Sequence, residues 1–329
     1  MTVAALRRLP VRLFPPVGLS LLFRPLPKAG TRPALNVTYE LSQDHLLRFS
    51  AREALGIPEQ TLLLAVLELV GEQYVEMGEG ATLSQSDRRS LPSRLWDNMY
   101  PDGGVGLPCT LMVSTTWEEL NHRCGARNGG SMIAIRRASL RRLCEVVVWE
   151  EIPEAKNVRQ AFLMVWLEGD DRRIHLAVNH RLASSFLGQQ YAKLWMGERL
   201  KLKSDLAMHV HAFLSTWVRQ GQRYRVGLST LAARVWPTNH TSAPEGTLRR
   251  RRLELNNALV DIGSLEHWNV EWSSDRAMVS VHRSDAGSVR DTTSSISASS
   301  SQSYREPGVG ENTSKDKGLS RKDVSALFN

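Results

Sequence analysis

An α+β chain of two tandem winged-helix (helix-turn-helix) domains, followed by a disordered C-terminal tail, is the fold that the sequence predicts. Three observations carry the prediction. Four consecutive arginines, Arg249 to Arg252, open an amphipathic helix. Around that helix stand a strand, a short capped helix, a turn and a hairpin, in winged-helix order. The same order of elements occurs once more, upstream, which marks an internal duplication of organisation.

In chain order, residues 1–33 come first. Arg7, Arg8, Arg12, Arg24, Lys28 and Arg32 lie there with no acidic residue among them. Apolar patches are interrupted by these cations and by Pro15-Pro16, so neither a secretory h-region nor a membrane span is formed. The expectation is a mobile basic arm.

Residues 34–179 are expected to form the first domain. Thr110-Leu-Met-Val113 is strand-like, and Thr115 or Thr116 with Glu118 or Glu119 resembles a capping box for a helix from Trp117 to Cys124. Gly125 and Gly129-Gly130 make the turn, and a second helix runs from about Ser131 to Glu145. Ile133, Leu140, Leu143 and Cys144 form its apolar side at helical spacing. Ser139 and Arg142 are expected opposite, with Arg136, Arg137 and Arg141 on the flanks, which makes all five candidates for DNA contact. Strand-like runs follow at Val146 to Ile152, Ala161 to Leu167 and Arg173 to Val178.

Residues 180–283 are expected to form the second domain. Arg223 to Leu228 reads as a strand, and Ser229 or Thr230 as the cap of a helix from Leu231 to Trp236, which Pro237 ends. Thr238 to Gly246 is turn-rich. The basic helix then spans Thr247 to about Ile262, with Leu248, Leu255, Leu259 and Ile262 on one stripe. Arg249, Arg250, Leu253, Glu254 and Asn257 face away from it, and Arg251 and Arg252 flank it. Trp268 to Trp272 and Met278 to His282 alternate apolar and polar residues, as the two strands of a wing joined by Ser273 to Ala277. Guanidinium and amide groups on a helix fixed by its other side suit the major groove, where arginine forks onto guanine and asparagine onto adenine. Ser229, Thr230, Thr247, Arg249, Arg250, Arg251, Arg252, Asn256 and Asn257 are therefore the candidate DNA-binding residues here.

Residues 284–329 are Ser-rich, too polar to bury a core, and expected to be disordered. Their Leu327-Phe328 pair resembles the motif by which replication proteins dock on the bacterial sliding clamp, but lacks its glutamine. A tail end without a role is the plainer reading.

A net charge of +8 over 329 residues fits a nucleic-acid partner. Cys109, Cys124 and Cys144 are unmatched in number and spacing, which suggests reduced thiols in the cytoplasm and no metal site. No phosphate-binding loop of the form G-x-x-x-x-G-K-[ST] occurs, so an ATP-driven motor is not expected, and no cofactor is implied. His209-Val-His211 matches a His-hydrophobic-His pattern that relaxase-type nicking enzymes use to hold a metal. Asp205 to Trp217 reads as a helix, however, which turns residues two apart to opposite sides. A packed helix with one histidine partly exposed is the expectation, and the chain is read as no enzyme.

Several collinear segments resemble the replication initiator protein C (RepC) family of broad-host-range, IncQ-type plasmids. They are Leu22-Phe-Arg24, Leu35-Asn-Val-Thr-Tyr39, Phe49, Ala54-Leu-Gly56, Leu143-Cys-Glu-Val146, Val235-Trp-Pro237, Thr247 to Arg252, Ala258-Leu259 and the strand at Trp268. The resemblance implies a bacterial cytoplasmic protein that binds directly repeated origin DNA (iterons) through two winged-helix domains. It further implies local duplex opening for a plasmid-encoded helicase and primase, and a homodimer off DNA. A winged-helix transcriptional autorepressor is the alternative that the residues themselves leave open.

Overall fold

The computed structural model describes residues 9–27, 30–42, 45–152, 157–169, 172–237 and 243–285. The Ser-rich tail beyond Asp285, with Leu327 and Phe328, lies outside the described residues, as do the first eight.

The chain opens with strand β1 (Val11–Leu13) and helix α1 (Pro15–Leu19), then the hairpin β2 (Leu35–Ser42) and β3 (His45–Ala51). Helix α2 (Ile57–Met77) follows, buried on all sides from Ile57 to Gly71 except at Pro58. Its run Leu62-Leu-Leu-Ala-Val-Leu67 explains why, since a helix apolar all round has no face to give to water. Short strand β4 (Thr82–Leu83) and helix α3 (Ser90–Met99) lead to β5 (Thr110–Thr115), helix α4 (Trp117–Arg123) and helix α5 (Gly130–Cys144). Thr116 caps α4, its Oγ1 accepting from the Glu119 amide at 3.2 Å, as the capping-box reading expects. Four strands come next: β6 (Val147–Ile152), β7 (Asn157–Phe162), β8 (Met164–Glu168) and β9 (Ile174–Val178).

After helix α6 (His180–Ser184), strand β10 (Ala192–Leu194) and helix α7 (Met196–Arg199), the second unit begins. It contains α8 (Asp205–Trp217), β11 (Gln222–Gly227), α9 (Leu228–Val235), α10 (Glu245–Gly263), β12 (Trp268–Trp272) and β13 (Met278–Arg283). Its sheet has the order β11-β13-β12, antiparallel throughout. The first unit repeats that pattern as β5-β9-β8, with β4 added at the edge. Each unit thus has a helix before its first strand, two helices after it, and a terminal hairpin whose last strand lies in the middle.

Two expectations are corrected here. The first concerns the strands after α5. Val147 to Ile152 is a strand as expected, and β6 and β7 pair with β3 to build a separate sheet, β2-β3-β6-β7. The run from Ala161 to Leu167 is divided at Leu163. The Leu163 amide donates to the Val146 carbonyl at 2.8 Å and its carbonyl accepts from Asn179 at 2.9 Å, so the chain crosses from one sheet to the other there.

The second correction concerns the N-terminal arm. From Val11 onward the segment is part of the core: Val11, Leu13, Leu19, Leu22 and Phe23 are at most 2% exposed. Strand β1 pairs antiparallel with β10, and α1 packs on α8. The apolar patches between the arginines are what fill these seams, and the two prolines sit at the start of α1, where no helical N–H is needed.

The two units share a continuous seam. Tyr39 and Leu19 are buried in the core of the second unit among Phe213, Leu214 and Val235. Arg199, fully buried, donates through Nη2 to Gln60 Oε1 at 2.9 Å and through Nη1 to the Met208 carbonyl at 2.8 Å. Burial pushes its pKa down to about 9. Arg283 is equally buried, donating to the carbonyls of Ser215 (3.0 Å) and Lys193 (2.7 Å). The N-terminal segment therefore clamps both units, and Leu22→Ala should destabilise the whole chain by about 2–5 kcal/mol. Urea denaturation checks this; a loss of a few tenths would show that the segment is peripheral.

Candidate nucleic-acid interface

Helix α10 has the register that the sequence predicts. Leu255, Ala258, Leu259 and Ile262 are buried at 1% or less against α8 and β12, while Leu248 is half-buried. Arg249, Arg250, Arg252, Leu253, Glu254 and Asn257 are exposed on the other side. The Arg250 Nε lies 3.6 Å from Glu254, a loose i,i+4 pair. Arg251 is drawn sideways over the Trp236 ring, 5.2 Å from its centroid, which braces α9 against α10. Asn256 does not face outward, because its Oδ1 accepts from the Trp272 indole N–H at 3.3 Å and so holds the hairpin.

Ser229 and Thr230 are not caps. Gly227 still pairs with Met278 in the sheet, and its extended backbone makes it the N-cap, so α9 begins at Leu228 with both residues inside its first turn. Ser229 is exposed; Thr230, and Thr247 near the start of α10, are half-buried. A groove of about 630 Å³ runs between the start of α9, the Arg251-Arg252 side of α10 and the hairpin tip at Asp275, Arg276 and Ala277. Arg276 is a candidate that sequence reasoning missed. It is exposed at the tip with φ of 54°, in a turn closed by the Ala277 amide donating to Asp275 Oδ1 at 3.0 Å. The readable signal was a lone cation inside a polar wing turn.

Helix α5 matches α10 in burial and end point but not in outer chemistry. Arg136, Ser139, Leu140 and Leu143 occupy the four buried positions that Leu255, Ala258, Leu259 and Ile262 hold in α10. The expectation that Ser139 and Arg142 face outward, with Arg136 and Arg137 on the flanks, is corrected. Ser139 donates to Glu59 Oε1 at 3.1 Å, and Arg142 pairs with Glu59 at 3.0 Å and Glu53 at 2.9 Å. Arg137 pairs with Glu168 at 2.7 Å and lies over Trp117, and Arg136 is only 7% exposed. For Ser139 and Arg142 the cause is Glu59 of α2, whose side chain is fully buried and must be met by donors. Burial pushes its pKa up, but Arg32, the Gly56 amide and Ser139 outweigh that and hold it below the usual carboxylate range. Only Arg141 of the five candidates is free on the surface, beside an outer face of Ser131, Ala134 and Ile135.

The two histidines lie on α8 as predicted, yet both are buried. His211 Nε2 is 3.2 Å from Glu198 Oε2, and Trp268 donates to the same oxygen at 3.0 Å. Neither ring nitrogen of His209 has a partner among the described residues, and burial, with Arg234 and Arg199 nearby, pushes its pKa down to about 3. Among the described residues no group of three or more His, Cys, Asp or Glu is arranged to hold a metal ion. The cysteines are free, and burial pushes the Cys124 thiol up to about 11.

No helix among the described residues is long and apolar enough to cross a membrane. The structure is thus a mixed α+β chain with a duplicated helix-and-sheet unit, one of whose helices displays unpaired cations. The chain belongs to the Replication protein C (RepC) family, whose profile matches residues 6–280, and membership supports a replication-initiator role. No curated protein matches it in sequence. Two solved structures of RctB domains 2 and 3 are similar. One, a selenomethionine derivative, is 10% identical with a TM-score of 0.48, covering 79% of this chain and 94% of that one. The other, RctB residues 155–483, is 11% identical with a TM-score of 0.49, covering 82% and 97%.

Two stability effects follow from the buried groups. Arg142→Ala should destabilise by about 1–3 kcal/mol by removing a donor from Glu59. Glu59 has a lowered folded pKa, so its contribution is present above its ordinary value of 4.5 and is lost as pH falls through the folded value. His209 works over a higher range. Below 6.5 the unfolded chain binds a proton that the folded one refuses until about 3, so stability declines with acid across that interval. Urea midpoints between about pH 7 and 4 should therefore fall, and His209→Gln should flatten the upper part of the decline; an unchanged slope would mean that this imidazole stays solvated.

Proposed function

We propose that the chain is an origin-binding replication initiator, whose two units are winged-helix modules that read directly repeated DNA. The observation that carries the reading is α10: Arg249, Arg250, Arg252 and Asn257 project from a helix locked by its opposite stripe, beside Arg276 at the hairpin tip. Such a helix fits the major groove, and a basic hairpin tip fits the adjacent backbone. Arg250, Asn257 and their neighbours supply base contacts, while Arg252 and Arg276 face phosphates and set register. The first unit adds α5, with Arg141 exposed on its surface.

Duplex opening, on this reading, draws on binding energy and DNA deformation, because the sequence has no ATP-binding loop. The protein is then no enzyme, and the opened strands pass to the helicase and primase that the family resemblance implies. Footprinting separates the initiator from an autorepressor. An array of direct repeats protected at an origin supports initiation, whereas a single palindrome at a promoter would replace it with regulation.

The division of labour on α10 is tested by two variants. Arg250→Ala should weaken binding to the repeat by about 1–3 kcal/mol and affect random DNA far less. Arg252→Ala should weaken both by similar factors and reduce the slope of log K against log[salt] by about one. Fluorescence anisotropy on both duplexes decides it; equal non-specific losses for the two would show that α10 only follows the backbone.

A further inference from the structure

Leu253 is out of place on α10. It is 60% exposed at the centre of the outward face, one turn after Arg249 and Arg250 and one turn before Asn257, with Glu254 beside it. Every other outward position from Arg249 to Asn257 is charged or an amide, and the core is already supplied by the opposite stripe at Leu255, Leu259 and Ile262. The folded chain gains little from a leucine here, and water is a poor solvent for it. Its surroundings name an occupant. Three exposed arginines favour an anionic partner, and Leu253 is the apolar side chain that stands between them and Asn257, with Val260 one turn beyond. In the major groove the one apolar group on any base edge is the 5-methyl of thymine.

We infer that Leu253 is a specificity-determining residue that packs on a thymine methyl, between a guanine read by Arg250 and an adenine read by Asn257. The inference rests on the DNA-binding reading above. Helical geometry sets the spacing. Leu253 lies about 4.5 Å along the axis from Arg250, and Asn257 about 6 Å further, at about 1.5 Å per residue. Leu253 stands between Arg250 and Asn257 along the helix, so the thymine falls between the guanine and the adenine.

Uracil differs from thymine only by the methyl, which gives a direct experiment with the full-length chain. The probe is a duplex carrying the repeat protected in the footprint, made once with thymine and once with deoxyuridine in its place. Wild-type protein should bind the deoxyuridine duplex about three- to tenfold more weakly, the effect of one or two buried methyl-sized groups. Leu253→Ala should bind both duplexes alike, near the wild-type value on deoxyuridine, and should bind random DNA as wild type does. Its melting temperature should not fall, since alanine favours the helix and the lost side chain was exposed. Wild-type protein indifferent to the methyl, or Leu253→Ala losing the same factor on both duplexes, overturns the inference while leaving repeat binding intact. If Leu253→Ala binds both duplexes as wild type does but loses replication, Leu253 serves a protein partner instead, and the inference is also overturned. Failure of wild type to prefer the repeat over random DNA would be a different result, removing the DNA-binding reading itself.

Discussion

Buried polar groups on one apolar helix organise this chain. Helix α2 carries Glu59, Gln60, Thr61 and Glu68 at 5% exposure or less, and each must be answered by a donor or lose its hydration without return. The answers come from separate parts of the sequence. Glu59 takes Arg32 from the N-terminal segment and Arg142 from α5. Gln60 and Thr61 take Arg199 from α7, just before the second unit, and Glu68 takes Arg123 from α4 at 3.1 Å. Apolar packing would hold these elements together in many registers; directional contacts to fixed points on α2 select one. The hairpin sheet, the seam between the units and the orientation of α5 all depend on that selection.

The same constraint makes the two duplicated units chemically unequal. Helices α5 and α10 share a buried pattern and a scaffold, yet arginine means different things on each. On α5, Arg136, Arg137 and Arg142 are drawn inward or sideways into the fold, and only Arg141 stays available. On α10, Arg249 and Arg252 stand free at the surface and Arg250 has only a loose partner in Glu254. The net charge of +8 therefore does not locate a nucleic-acid surface by itself. The proposed surface rests instead on the difference between cations that the fold uses and cations that it leaves in water, where counterion release on a polyanion would be available to them.

Legibility followed the same division. Helix α10 could be placed from its letters because its buried positions are all apolar, and the wing strands because they alternate cleanly. Thr116 was readable as a cap because its mechanism is local. Helix α5 was misread on its face because two buried positions are Arg136 and Ser139, polar residues that count as surface under any hydrophobic pattern. Ser139 is buried as a donor to Glu59, eighty residues away in the first turn of α2, where a solvated acid would also be favourable. The N-terminal segment failed for a related reason. Its arginines and prolines signalled exposure, while Val11, Leu13, Leu22 and Phe23 had partners only in strands and helices far along the chain. The pairing of β6 with β3 was equally a non-local choice, invisible to a pattern that sees one strand at a time.

The seam has a consequence for how two DNA-reading helices would work together. Tyr39, Arg199 and Arg283 are buried between the units, and β1 pairs across to β10, so the units are joined by packed structure and not by a free linker. In the proposed reading, the offset between α5 and α10 is then set before DNA arrives. Engagement of the second groove does not require ordering a tether, which favours occupancy of a repeat with one fixed spacing over two independent half-sites. A rigid reader also transmits strain. If the repeat departs from the preset offset, the fold yields less readily than the duplex, whose pyrimidine–purine steps bend at modest energy. On the proposed reading, a packed pair of units of unequal chemistry, one offering exposed arginines and one a small, mostly uncharged face, is thus suited to convert binding into local distortion of DNA.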